Sequence, residues 1–370
     1  MQRRFATGAV ALAAAVAVAA CGSDSGGGSS QGSSQGASGG KPVAGAPSWC
    51  GSKKITLALA DGFGDNNWRR ITTAEGRDEA SKCPSVTKFV YTDGQGNTQK
   101  SISDIQGLAA QGVNAMVVFP DQGKAVLPAI RQAYKAGVVT VPYRVSPGGT
   151  AGQDYDAFVS TDFKQAGVLW GQWLVKALNG KGLVANLGGP PANSQSQDEY
   201  DGMMSVLKAH PEIKFVGQTP YNPTNWDPAQ TQKVVTALLA KYPQIDAITT
   251  DFGAALASSF GAFKTAGRKI PAVATEDSNQ LSCDRESLLA SNPGFKLFTV
   301  DSQNWMVRTA IQYAVAKATG GQLPSTTVPQ KPFEDSITGQ PNKPKCDKSL
   351  SGDAFLSSHL SHQQIADALK

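Results

Sequence analysis

The stretch Asp61–Arg70, DGFGDNNWRR, sets an amide, an indole and two guanidinium groups in a row, at Asn67, Trp68, Arg69 and Arg70. Similar groups recur along the chain: Asp93, Phe119, Tyr143 and Arg144 earlier, then Asn193, Glu199, Trp226, Asp227, Asp251, Asp277, Asp301 and Gln303. Planar amides, carboxylates and guanidinium groups present paired donors or acceptors that match adjacent hydroxyls. Aromatic rings cover an apolar C–H face. Together they suit recognition of a polyhydroxylated ring. Catalysis is served less well. The only histidines are His210, His359 and His362, none at a strand-end candidate, and no G-x-S-x-G elbow occurs. His359-x-x-His362 reads as tail composition more than a metal pair. The Gly-Gly-Pro-Pro turn after Leu187 is no Walker motif. Paired acids keep an exported glycoside hydrolase as the rival from another class.

The elements that must position these residues alternate. ITLALA (55–60), KFVYTD (88–93), AMVVFP (115–120) and VVTVPY (138–143) read as strands, separated by helical stretches over 68–82, 101–111 and 125–136. The alternation restarts with AFVSTD (157–162), GLVANLGG (182–189), FVGQTP (215–220), DAITTD (246–251), PAVATED (271–277) and KLFTVDSQNW (296–305), with helices expected over 228–241 and 253–266. Such spacing implies βαβ units and two doubly wound parallel sheets, an α/β architecture. In these sheets ligands sit outside the carboxyl ends of the strands. Most of the polar and aromatic residues above follow a strand candidate directly. Beyond Gly321 the chain is rich in Pro, Lys and Ser and is expected to be mostly irregular.

Residues 1–21 carry Arg3 and Arg4, then an Ala/Val run, then small residues before Cys21; this is a signal peptide. Residues 22–48 are Gly/Ser-rich with almost no large apolar side chain, which makes a flexible tether of roughly 25–30 Å. The formal charge is +5, but two of the arginines lie in the leader, and no Lys/Arg block follows. Nucleic acid is therefore not a suggested partner. Cys50, Cys83, Cys283 and Cys346 remain, an even number that suggests two disulfides in an exported chain. Cys50 and Cys83 each precede a strand candidate, and neighbouring parallel strands bring such starts together. Cys50–Cys83 and Cys283–Cys346 are therefore favoured among three possible pairings. No close cysteine spacing points to a metal.

The order of these motifs resembles the type I periplasmic binding proteins, the ribose- and galactofuranose-binding group of ABC transporters, over residues 53–335. The segment ending in Cys21 is similar to a bacterial lipobox, in which that cysteine carries lipid. The resemblance implies an N-terminal lobe of 49–160 plus 302–328, a C-terminal lobe of 161–301 plus 329–345, and a tail of 346–370. Hinge crossings would fall near 160–162, 301–303 and 324–329. Asn67, Trp68 and Arg69 match a hydrogen-bonding, stacking and bridging trio, with Trp68-Arg69 similar to the galactofuranose branch. Asp93 and Phe119 fall near the cleft. Tyr143-Arg144 stands where the family usually has Asp-Arg, and Glu199 where it commonly has an arginine; Asn193, Ser194 and Gln195 in the same loop would supply polar contacts instead. Trp226 aligns with a stacking aromatic and Asp227 stands beside it. Asp251, Asp277 and Asp301 align with polar contacts, with Gln303 as a neighbour.

The resemblance implies no enzyme activity, cofactor or metal. It implies a carbohydrate or polyol ligand, a membrane permease as partner, a lipid anchor at the extracytoplasmic face of the cell membrane, and a monomer. Glu199, Asp251, Asp277 and Asp301 set against Arg69 and Arg144 suggest a ligand with a cationic group, such as an amino sugar. A ligand-presenting subunit of a membrane sensor is an equal use of the same lobes. A repressor is disfavoured by the leader.

Overall fold

A computed structural model of the chain describes residues 43–64, 66–339 and 342–370. The leader with Cys21, the tether up to residue 42, and Asp65 lie outside the described residues.

Strands β1 (Ile55–Asp61), β2 (Val86–Asp93), β3 (Ala115–Phe119) and β4 (Val139–Pro142) form a parallel sheet in the order β2-β1-β3-β4. Side chains of β1 alternate between its faces. Leu57 and Leu59 pack with Trp68 and Ile71 of helix α1 (Asn67–Ser81) and with Val307 and Ile311 of α10 (Met306–Thr319). Ala58 and Ala60 pack with Ile105 and Leu108 of α2 (Thr98–Ala110) and Ile130 of α3 (Leu127–Lys135). Each such large apolar side chain contributes about 1.5–3 kcal/mol by leaving water.

The second sheet runs β13-β11-β10-β9-β6-β7, with β8 (Asn222–Pro223) also pairing with β6. Its members are β6 (Gly182–Gly188), β7 (Ile213–Val216), β9 (Ala247–Thr250), β10 (Ala272–Glu276), β11 (Leu297–Val300) and the antiparallel edge strand β13 (Pro332–Asp335). Val184, Ala247, Ala274 and Phe298 pack with α4 (Phe163–Ala177) and α5 (Ser194–Leu207). Ala185, Leu187, Ile248 and Leu297 face the other way, into a core with Val235 and Leu238 of α6 (Pro228–Lys241), Leu256 of α7 (Gly253–Ser258) and Phe263 of α8 (Phe260–Thr265). Both sheets are thus covered on both faces, which is the doubly wound α/β arrangement. Cys50–Cys83 and Cys283–Cys346 are bonded pairs, with Cα–Cα distances of 5.4 and 4.8 Å.

The chain passes between the sheets after β4, after β11 and after α10. The first and third passages pair with each other as β5 (Ser160–Thr161) and β12 (Thr327–Val328). AFVSTD is therefore a strand only over two residues, because its partner is equally short. The stretch 253–266 is two helices, breaking at Ser259, whose hydroxyl turns back onto the Leu256 carbonyl.

Residues 346–370 are mostly irregular, as the sequence suggests, but they are held in place. Cys346 is bonded to Cys283 of α9 (Asn279–Leu288), and Asn279 holds the backbone of Asp347 and Ser351. Ser357 then donates to Asp277 at 2.6 Å. Next, the Ser358 hydroxyl and His359 N–H both donate to Glu75 of α1, at 2.6 and 2.7 Å. Leu350, Phe355, Leu360 and Ile365 join the core that covers the first sheet, the last of these from α11 (His362–Ala368). A run rich in Ser hides this, because its apolar residues are spaced irregularly. This segment ties one sheet unit to the other beside the passage at Ser302.

Candidate ligand-binding cleft

Each sheet reverses its strand order once, between β1 and β3 in the first and between β6 and β9 in the second. Loops leaving the two strands at such a switch point diverge to opposite faces and leave a crevice. The two crevices face each other. Between them lies a pocket of about 60 Å³ lined by residues of both sheets.

The first wall grows from the start of α1. Asn66 caps that helix by accepting from Arg69 N–H at 2.9 Å, and it lines the pocket. Trp68 packs edge-on against Phe119, with ring centroids 6.0 Å apart, and both line the pocket. Arg69 lies over the Phe119 ring at 3.4 Å. It donates to Asp61 at 3.2 Å and also to Asp121. Burial pushes Asp121 up to about 7 against the pull of Arg69, with Asp61 adding to the rise. Gly62 is required beside this pair, because a Cβ there would stand 2.5 Å from the Asp121 carboxylate.

The second wall is acidic. Arg144 reaches across from the end of β4 and donates to Glu276 at 2.7 Å and to the Ser302 carbonyl at 3.1 Å. Gln195 donates to Glu276 and to Glu199, both at 3.2 Å. Asp251 accepts from the Ser196 hydroxyl at 2.5 Å, and its other oxygen has no partner among the described residues. Burial pushes Glu276 up to about 8 against Arg144, with Asp251 adding to the rise. Burial, then Asp251 and Glu276, also push Glu199 well above the usual carboxylate range. Three carboxyl groups against one guanidinium therefore favour shared protons over full ionisation. Protonated carboxyl groups can donate to sugar oxygens as well as accept.

Trp226 and Phe252 complete the pocket. Trp226 lies flat on Gly189, where a Cβ would be 2.4 Å from its ring. Trp226, Asn225 and Arg144 have left-handed backbone, with φ of 54°, 54° and 63°. Such backbone costs non-glycine residues about 1–2 kcal/mol each, and it gathers at ligand sites.

Of the sequence candidates, Trp68, Arg69, Phe119, Arg144, Trp226 and Asp251 line this pocket. Asn193 and Asp227 line its outer approach while capping α5 and α6. The others are not brought to the cavity. Asn67 turns away to Asp353 at 2.7 Å, and the asparagine in the cleft is its neighbour Asn66. Arg70 is exposed. Asp93 accepts the Gly64 and Gln95 N–H groups and shapes a loop. Tyr143 is buried behind Phe119. Glu199 sits behind Gln195. Asp277 accepts from Ser302 and Ser357, and Asp301 from Gln303 and the Trp305 indole. Gln303 donates to the Pro329 carbonyl. The last three hold the passage between sheets. Gln195, a neighbour of Asn193 beyond β6, also lines the pocket, and Glu276, Phe252, Asn66 and Val145 are pocket residues absent from the sequence candidates. Among the described residues no group of three His, Cys, Asp or Glu is placed to hold a metal ion.

The model of the periplasmic binding protein domain matches residues 59–322. This chain belongs to the periplasmic binding protein family. As a member it shows partial similarity to curated relatives. It is 28% identical over 163 residues to the galactofuranose-binding protein YtfQ of Escherichia coli, covering 44% of this chain and 51% of that one. It is 25% identical over 195 residues to a xylitol-binding protein of Mycolicibacterium smegmatis, covering 52% and 54%. The chain spans about half the length of these relatives. Among solved structures, a galactofuranose binding protein shares the fold with a TM-score of 0.65 at 20% identity, covering 75% of this chain and 93% of that one. A Caulobacter myo-inositol binding protein bound to myo-inositol gives 0.64 at 22%, covering 77% and 94%. The fructose binding periplasmic domain of the hybrid two component system BT1754 gives 0.65 at 18%, covering 78% and 93%. These likenesses make this periplasmic binding protein type I in fold.

Proposed function

We propose that the protein captures a neutral sugar or polyol between its two sheet units and presents it to the permease of an ABC importer, without chemical turnover. The observation that carries this is the pocket itself: four aromatic rings, Trp68, Phe119, Trp226 and Phe252, surround Asn66, Arg144, Gln195, Asp251 and Glu276. Rings take the C–H faces of a sugar, and the paired polar groups take its hydroxyls. A ligand touching both walls favours the closed state, since only that state makes both sets of contacts. The similar galactofuranose-binding and xylitol-binding proteins support the same class. A cationic ligand is disfavoured, because Asp277 and Asp301 lie outside the pocket and the acids that remain are pushed towards protonation. Cys21 and the Gly/Ser segment would tether the protein to the membrane. Association with a sensor is the second use, favoured only by the fold shared with a sensor's fructose binding domain.

Thermal-shift screening of pentoses, hexoses, polyols and amino sugars tests the reading. A ligand at a hundred times its Kd adds about 2.7 kcal/mol to stability, which raises Tm by several degrees. No shift with any compound refutes sugar binding. A shift with amino sugars alone refutes neutrality. Uptake of the bound sugar in cells lacking the gene separates transport from sensing.

A further inference from the structure

A second cavity opens directly from the first. Its volume is about 730 Å³, roughly twelve times the 60 Å³ of the inner pocket. The inner pocket holds a handful of waters at about 10–15 Å³ each, the space of one small ring. Asn66, Arg69, Val145 and Trp226 line both cavities and form the neck between them. The outer chamber is walled by Phe63 on one side and by Pro190, Pro191 and Pro228 on the other, with the amides of Gln122, Asn193 and Asn225 between. Four charged side chains, Arg69, Asp121, Lys124 and Asp227, also line it. Phe63 is an exposed large apolar side chain, 40% accessible, with its ring against Gly96.

We propose that the outer chamber is a second sugar subsite, so that the preferred ligand is a disaccharide or a comparable glycoside instead of a free monosaccharide. This rests on the sugar-binding reading of the inner pocket and extends it. One ring occupies the inner pocket beside Arg144 and Glu276. The glycosidic bond passes through the neck past Trp226. The second ring lies against Phe63, with the three amides at its hydroxyls. The two units already meet at the Arg144–Glu276 pair, and residues 346–370 tie them together beside the passage at Ser302. The chamber is thus present with the inner contacts made. Proline on one wall limits how far that wall can fold inwards.

The test is calorimetric titration of the full chain with matched probes: galactose against lactose, glucose against maltose, xylose against xylobiose. The same titrations are run on Phe63→Ala, a substitution of an exposed side chain outside the inner pocket. The expected result is that one disaccharide binds at least about tenfold more tightly than its own monosaccharide, as one extra aromatic contact allows. Phe63→Ala removes that gain and leaves the monosaccharide unchanged. A monosaccharide that binds as tightly as its disaccharide overturns the second subsite and leaves the proposed function standing. A disaccharide gain that survives Phe63→Ala overturns its assignment to this chamber. If none of the six sugars binds, the second subsite is refuted together with its sugar-binding premise.

Discussion

Arg69→Met removes a guanidinium shared by two carboxylates that are largely shielded from water. Asp61 and Asp121 both bind it, and each has one oxygen without a partner among the described residues. In the wild type Asp121 stands at about 7 against an ordinary 3.8. A carboxyl raised on folding holds its proton more tightly in the native state, so stability is greatest below about 4 and falls as pH rises to about 7. Three pKa units of difference correspond to about 4 kcal/mol. Arg69 limits this rise. Without it the carboxyl titrates higher still, and the fall continues above pH 7.

The variant's deficit is therefore pH-dependent. At pH 8 it leaves buried carboxylates uncompensated, a loss of about 3–5 kcal/mol. At pH 5 Asp121 is protonated in both proteins, and the loss falls to the contact with Phe119 and the hydrogen bond to Asp61, about 1–3 kcal/mol. Urea unfolding followed by tryptophan fluorescence at both pH values measures the difference. Adding Asp61→Asn and Asp121→Asn to Arg69→Met should recover most of the pH 8 deficit. Equal deficits at the two pH values, or no recovery in the triple variant, would refute the account of Arg69 as counter-ion.

Gly189→Ala drives a methyl into the Trp226 ring, so sugar affinity should fall about tenfold or more in titration while far-UV circular dichroism stays unchanged. Replacing Cys283 and Cys346 together by serine opens a loop of sequence separation 63, and the chain-entropy relation gives a loss of about 4 kcal/mol in denaturant unfolding. Phe355→Ala, at a side chain only 2% exposed, should cost about 3–5 kcal/mol, against almost nothing if residues 346–370 were a loose tail.

Alternation of apolar runs made the two sheets readable, because strands buried on both faces look alike in any such fold. Chain order also located the strand ends, and hence Trp68, Phe119, Arg144 and Trp226. Two sequence candidates, Asn67 and Asp277, stand one residue away from Asn66 and Glu276, which line the pocket. Neighbouring side chains point in different directions at a strand or helix end, and nothing in residue type separates Asn from Asn or Asp from Glu. Phe252 follows a strand end but carries no polar group to single it out. The role of residues 346–370 was illegible for another reason. Its partners, Glu75 and Asp277, lie far away in sequence, and long-range pairing leaves no local periodicity.

Those distant partners impose an order in time. Glu75 and Asp277 are synthesised well before Ser357 and Ser358. Until the later segment emerges, Glu75 lacks the Ser358 and His359 donors, Asp277 lacks the Ser357 donor, and the apolar surface under Phe355 is uncovered. Both sheets can be complete and the protein still unfinished. A chain interrupted near residue 345 would present that uncovered face to chaperones and proteases, so residues 346–370 close a surface that both sheet units leave open.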